Sequence, residues 1–341
     1  MTMKRSLALL LAAAVLLSGF QLISGSGISS KGDEENSLSA CLLVPSEFGD
    51  KSLNDSARAG MERLREDYGI KLNTVECKNE NYKQQLMTAA KENNIVAAVG
   101  WEFSEIKQVA AEYPNTRFIW IDNVVDEVEG SPNIVCVSYR QDEGAFLAGY
   151  IAAKLSQTNA VAVVGGEKES EVIRSYVNGF EQGARYANAG INVYSSYVGS
   201  YDDSVKAELC AGELHAKGAD IILQLAGVGG NGVLEAAKNE GFYVIAVDQD
   251  QKTVPSSYDS VVLCTIKKDA GAAIYDVIAE YAQSEEWSGG RTLSVGVEDE
   301  YISVSYASKS PLRQVDEDTK RETAQLADKL AAGKLSVKSD R

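Results

Sequence analysis

Short apolar runs alternate with amphipathic stretches along most of this chain. The runs at 41–45, 71–76, 95–100, 117–122, 134–138, 160–165, 192–198, 220–225, 243–248 and 261–265 have the length and β-branched content of strands. Several are apolar at nearly every position, the pattern of parallel strands covered by helices on both faces. Between them, 56–68, 82–92, 143–155, 172–187, 205–217 and 233–240 carry apolar residues at helical spacing, and 270–283 and 319–332 follow in the same way. The chain has only five prolines, and they leave these segments uninterrupted. Such alternation predicts an α/β protein with doubly wound parallel sheets.

So many strands suit two sheets better than one. The helix 143–155 reads as a crossing into a second lobe, and a return near 264–268 puts the helix 270–283 back on the first. On this reading lobe 1 comprises 38–156 plus 266–298, and lobe 2 comprises 157–265 plus 299–341 with the terminal helix on its outside. A cleft between two joined lobes, at strand carboxyl ends, is where small ligands bind.

The amino terminus has a different pattern. Lys4 and Arg5 precede an apolar run from Leu7 to Leu17, and Ser24-Gly25-Ser26-Gly27 follows. This is the layout of a signal peptide over 1–27, with a polar linker over 28–37, and predicts an exported, extracytoplasmic protein. A segment retained as an anchor is the alternative. Leu16-Leu17-Ser18-Gly19 begins like a lipoprotein signal, but the next residue is Phe20 and not cysteine, which argues against a lipid anchor. Leu38-Ser39-Ala40-Cys41 has a similar outline, yet it opens a strand-like run.

Charge and composition narrow the function. With 33 basic against 49 acidic residues the formal net charge is −16, which excludes a polyanion such as nucleic acid as the expected partner. The cysteines Cys41, Cys77, Cys136, Cys210 and Cys264 are scattered, mostly through apolar runs, and read as buried thiols. The single histidine, His215, lies in a polar helical stretch and reads as a surface residue. No metal or cofactor is implied by these residues.

Candidate ligand-contacting residues fall where strands end. After the first strand, Asp50 and Asn54 offer an acceptor and a mixed donor–acceptor near a helix start, where Ser52 and Asp55 have capping-box-like spacing. Turn-and-cap chemistry is the plain alternative. After the third strand, Gly100 permits close backbone approach, and Trp101 or Phe103 is a candidate aromatic wall, unless the ring belongs to the core. Asp122 ends the next strand as an acceptor for ring N–H or sugar O–H groups. In the second lobe Tyr201, with Tyr197 as competitor, would close a planar ring from the other side.

The run Leu225-Ala226-Gly227-Val228-Gly229-Gly230-Asn231-Gly232 contains G-x-G-x-x-G after a strand, and Asp248 follows at a spacing seen in dinucleotide sites. This supports an alternative, an exported NAD-dependent oxidoreductase. Against it stand the motif's position deep in the second half, the export signal and the lack of a hydride-transfer acid–base pair. In a binding protein, Asp248 and Lys267 at adjacent strand ends would grip sugar hydroxyls from two sides.

Taken together, Gly49 to Ala57, Glu143 to Ala153, Gly227 to Val233 and Val247 to Gln251 resemble the basic membrane protein family, the purine nucleoside receptor-like substrate-binding components of ABC transporters. The resemblance covers almost the whole chain after the leader. It implies a type I periplasmic-binding fold of two lobes, no catalysis, no cofactor, a nucleoside-like ligand and delivery to a membrane permease. By position, Asp122, Asp248 and Lys267 match polar ligands of base and ribose, Asn54 and Gly227 match lining residues, and Tyr201 matches an aromatic. Two departures concern the purine: Val44-Pro45-Ser46 stands where the family has an aspartate, and Leu53 replaces an aromatic. A ligand-sensing receptor for signalling is the other alternative, and a monomer is the default for a receptor that opens and closes.

Overall fold

The computed structural model describes residues 38–49, 53–78, 80–123, 128–248, 254–298, 300–307 and 313–338. The leader, the linker up to residue 37 and the candidate Asp50 lie outside the described residues.

The first half of the chain alternates as its pattern predicts. β1 (Ser39–Val44), α1 (Leu53–Tyr68), β2 (Lys71–Glu76), α2 (Tyr82–Glu92), β3 (Ile95–Val99), α3 (Ile106–Glu112), β4 (Arg117–Ile121) and β5 (Ile134–Tyr139) run in order. The chain then forms α4 (Gln141–Leu155), β6 (Ala160–Gly165), α5 (Glu171–Ala187), β7 (Asn192–Tyr197), α6 (Ser204–Ala216), β8 (Ile221–Leu225), α7 (Asn231–Glu240), β9 (Tyr243–Val247) and β10 (Val262–Lys268). It closes with α8 (Ala270–Ser284), β11 (Arg291–Val295), β12 (Ile302–Tyr306) and α9 (Glu317–Ala331).

The described residues form two six-stranded sheets, ordered β11-β5-β4-β3-β1-β2 and β12-β10-β9-β8-β6-β7. Every pairing among the described residues is parallel except β10 with the edge strand β12. This is the two-lobed, doubly wound α/β architecture expected from the pattern. The central strands are buried throughout: β1 from Ala40, β3, β6 and β8 have no exposed position, because helices cover both sheet faces.

Among the described residues the chain crosses between the lobes at three places. β5 leads into α4, which packs on α5 and α9 of the second lobe; β10 leads into α8, which packs on α1 of the first; and β11 leads into β12. The crossings therefore fall near Arg140, Asp269 and 296–301, because α4 lies with the second lobe and β10 stays in the second sheet as far as Lys268.

Close helix packing explains much of the glycine usage here. A Cβ on Gly149 would lie 2.0 Å from the Phe180 carbonyl oxygen, and one on Gly183 would lie 1.9 Å from that of Phe146, so α4 and α5 meet backbone to backbone. On the outer side of α4, Phe146, Leu147 and Tyr150 form a small cluster with Leu326 and Leu330 of α9.

The three crossings lie side by side. Arg140 N–H donates to the Val295 carbonyl at 2.8 Å, and Asp269 N–H donates to that of Tyr301 at 2.8 Å. The Arg140 guanidinium also holds Glu143 Oε1 at 2.8 Å and the Ser294 carbonyl at 2.6 Å, and it pairs with Glu298. Glu143 Oε2 in turn accepts the Val297 N–H at 3.0 Å, which ties the first crossing to the third.

Candidate functional site

The site is built on two aspartates at matching positions of the two sheets. Asp122 follows β4 and Asp248 follows β9, each the third strand from the edge that carries the last-added strand. Both are in the left-handed region, at φ 63° and 64°, which is uncommon for residues other than glycine but tolerated by aspartate. Asp122 N–H donates to the Val137 carbonyl at 2.9 Å, and Asp248 N–H donates to that of Ile266 at 2.7 Å. These bonds carry the sheet ladder past the strand end and turn each carboxylate out of it.

Lys268, the last residue of β10, lies between them. Its Nζ is 2.9 Å from Asp122 Oδ1 and 3.9 Å from Asp248 Oδ1, and its side chain is only 2% exposed. The ammonium also lies 5.2 Å from the Tyr139 ring centroid and 5.7 Å from that of Tyr176, within cation–π range. Burial alone would lower the lysine pKa, but the charges of Asp122 and Asp248 outweigh it, and the net shift is upward. Lys268 therefore stays charged through the physiological range.

Tyr176 donates its hydroxyl to Asp248 Oδ1 at 3.2 Å, and Tyr139 donates to the Asp269 carbonyl at 3.3 Å. Both phenols are held well above their ordinary pKa by burial and by the nearby aspartates, so they remain neutral donors. Since Tyr139 and Asp122 belong to the first lobe and Lys268, Tyr176 and Asp248 to the second, this cluster spans the cleft at the crossings.

Other candidates are placed around this centre. Asn54, near the start of α1, is buried and donates from Nδ2 to Ser46 Oγ at 3.0 Å, at the end of β1. The loop before it is fastened by Asp55, whose Oδ1 accepts the Gly49 N–H at 2.9 Å. Tyr201 comes from the loop after β7, and its ring lies so close over Gly166 that a Cβ there would be 2.3 Å from Cε1. Gly227, at φ 57°, sits beneath the same tyrosine.

Three expected residues have other surroundings. Phe103 is fully buried and meets Tyr82 edge-on, with centroids 5.1 Å apart, so it belongs to the first lobe's core. Trp101, two residues earlier in the same short turn, is 65% exposed. Lys267 points to the other side of β10 from Lys268 and pairs with Asp269 Oδ2 at 2.6 Å. Asp269 also caps α8 through the Ala272 N–H; burial would raise its carboxyl pKa, but these bonds outweigh it and lower it. Lys268, Tyr139 and Tyr176 were not among the sequence candidates.

The glycine turn is occupied by its own neighbours. Gly229 N–H donates to the Tyr201 carbonyl at 2.8 Å, and a Cβ on Gly232 would lie 1.9 Å from the Ser204 carbonyl oxygen. These glycines let α7 and its leading turn press against α6, which accounts for the G-x-G-x-x-G spacing without a pyrophosphate.

The remaining chemistry is structural. All five cysteines are free and buried, and burial pushes the Cys41 and Cys264 thiols up to about 12. His215 closes the end of α6, with Nδ1 2.8 Å from the Ala219 carbonyl oxygen. Among the described residues no group of acidic, histidine or cysteine side chains is arranged to hold a metal. A shallow depression of about 430 Å³, lined by Ser39, Asn93, Asn94 and Thr116 among others, lies at the amino ends of the first sheet's strands, away from the carboxyl-end site.

Residues 37–340 match the family model described as ABC transporter substrate-binding protein, PnrA-like. The chain belongs to this family. Two curated members illustrate the similarity. Basic membrane protein A2 of Borrelia garinii subsp. bavariensis is 32% identical over 290 residues, covering 84% of this chain and 85% of its own. Basic membrane protein A of Borreliella burgdorferi is 33% identical over 289 residues, covering 84% of each. The PnrA-like family consists of solute-binding proteins and not of enzymes.

Among solved structures, an ABC transporter solute-binding protein from Conexibacter woesei superposes with TM-score 0.74 at 21% identity, over 89% of this chain and 99% of its own. A transcriptional activator of the comK gene from Bacillus halodurans superposes with TM-score 0.72 at 21% identity, over 87% and 98%. At that identity the likeness shows the shared two-lobed fold alone. Substrate-binding proteins of ABC transporters work outside the cytoplasm, and among the described residues no helix is long and apolar enough to cross a membrane.

Proposed function

We propose that this PnrA-like protein is exported by its leader, binds a nucleoside-like solute between its lobes and hands it unaltered to an ABC permease. The observation that carries this reading is the Asp122–Lys268–Asp248 bridge across the cleft. Two carboxylates and an ammonium held at strand ends offer acceptors and donors in the pattern that adjacent sugar hydroxyls need. Tyr201 supplies a flat apolar face from the second lobe for the ring of the ligand. Asn54 and Gly227 line the flanks of the proposed site. Lys268, rather than Lys267, is the lysine of this site.

Thermal denaturation in the presence of nucleosides, free bases and pentoses tests the reading. A ligand that binds only the folded state raises the midpoint, and the rise grows with the logarithm of its concentration above Kd. Nucleosides raise it, whereas bases or pentoses alone give little. Pentoses acting as well as nucleosides would replace this reading with that of a sugar receptor.

A further inference from the structure

Glu102 is a carboxyl outside the central bridge, just past the carboxyl end of β3. It sits in the short turn Trp101–Phe103 that follows β3, and its side chain folds back over Gly100. A Cβ on Gly100 would lie 2.2 Å from Glu102 Oε2 and 3.7 Å from Cγ of Pro45, so glycine at φ 107° is what leaves this space to the carboxyl. Glu102 Oε2 is buried and has no hydrogen-bond partner. Among the described residues it forms no ion pair with a lysine or arginine, and Lys268 pairs with Asp122 and Asp248. Burial raises its pKa, a hydrogen bond from its own backbone N–H opposes this and the charge of Asp122 adds to the rise; the charge of Glu102 in turn is felt by Tyr201 from the opposite lobe.

The surroundings differ from those of the central bridge. Pro45 and Gly100 lie beside the carboxyl, and the ring of Tyr201 lies over Gly166 in the opposite lobe; such flat or apolar surfaces suit a heterocycle, whereas the Asp122–Lys268–Asp248 group suits hydroxyls. A buried acceptor without a donor is destabilising in the empty protein and is relieved only by a partner that brings one. Discrimination follows, because a ligand that cannot donate leaves the oxygen unpaired.

Building on the nucleoside reading, we propose that Glu102 selects the ring of the ligand: its carboxylate accepts a ring N–H, favouring lactam rings such as those of inosine and guanosine over adenosine. The ionised carboxylate takes donors only, and the adenine edge presents a bare ring nitrogen where the lactam presents N–H.

Equilibrium titration of the full chain with inosine, guanosine, adenosine and inosine methylated at the ring N–H tests this at about pH 8, where a carboxyl is ionised. The wild type prefers inosine to its methylated form and to adenosine by at least about tenfold. Glu102→Ala brings the three within about threefold of one another, and Glu102→Gln moves the preference toward adenosine because an amide also donates. Equal affinity of the wild type for all the rings, or a preference unchanged in both variants, overturns the assignment of Glu102 while leaving a nucleoside receptor. Failure of every nucleoside to bind the wild type overturns both. Equal affinity of the wild type for all the rings overturns the assignment even where a variant is poorly folded.

Discussion

At the scale of single residues, Lys268 carries the heaviest electrostatic duty. Its pKa is raised in the folded chain, so its contribution to stability is complete below the ordinary lysine value and is lost as pH climbs through the raised one. Lys268→Met leaves Asp122 and Asp248 facing each other without a counter-charge. The expected cost is roughly 2–4 kcal/mol at neutral pH, discounted from a fully buried pair because both carboxylates keep some exposure. Urea unfolding measures it, and the gap between variant and wild type narrows above about pH 10. A variant as stable as the wild type at neutral pH would mean that the bridge does not hold the folded state. Glu102 has the opposite sense: its carboxyl pKa is raised, so ionisation works against the fold as pH rises from the unfolded value toward the folded one. Glu102→Gln is therefore more stable than the wild type at neutral pH, and its advantage disappears as pH falls below the ordinary carboxylate range. No advantage at either pH would contradict the burial argument.

At the scale of elements, the glycine turn before α7 separates a binding motif from a packing motif. Gly232→Ala places a methyl group 1.9 Å from the Ser204 carbonyl oxygen and forces α7 away from α6. A loss of about 1–3 kcal/mol is expected from such overpacking, seen as a lower urea midpoint, while NADH fluorescence stays unchanged on adding either protein. Enhanced NADH fluorescence with the wild type alone would restore the dinucleotide reading. The elements also show what the sequence pattern discloses. Asp122 and Asp248 were legible because each ends an apolar run that could only be a covered strand. Lys268 was not: the apolar run of β10 stops before the two lysines, and the choice between them depends on how far the strand continues along β12. β11 and β12 escaped notice because they are half-buried, with serine or threonine alternating with larger residues. Phe103 and Trp101 differ only in which side of one short turn faces the core. Tyr176 reaches the site from a helix, and nothing in the α5 pattern marks it.

At the scale of the whole molecule, the crossings decide how the lobes are joined. Arg140, Glu143, Ser294, Val297 and Glu298 tie the first crossing to the third, whereas Lys268 ties the lobes through the site itself. On the proposed reading, ligand binding and the resting contact between lobes draw on the same charged groups. A solute that replaces the Lys268–Asp122 contact with its own hydroxyls exchanges one set of hydrogen bonds for another, which favours affinity set by fit. The fold class, the two lobes and the strand-end position of the aspartates followed from the strand pattern, whereas the bridge that brings Asp122 and Asp248 to one lysine depends on the crossings, which the pattern does not show.

The account is tested most directly by isothermal titration of nucleosides into the wild type and into Asp248→Asn, which keeps the shape and removes the charge. The wild type binds one nucleoside per chain. The variant remains folded and loses about 1–3 kcal/mol, roughly 5- to 150-fold in affinity. Unchanged nucleoside affinity in a folded Asp248→Asn protein would contradict a site built on the strand-end aspartates.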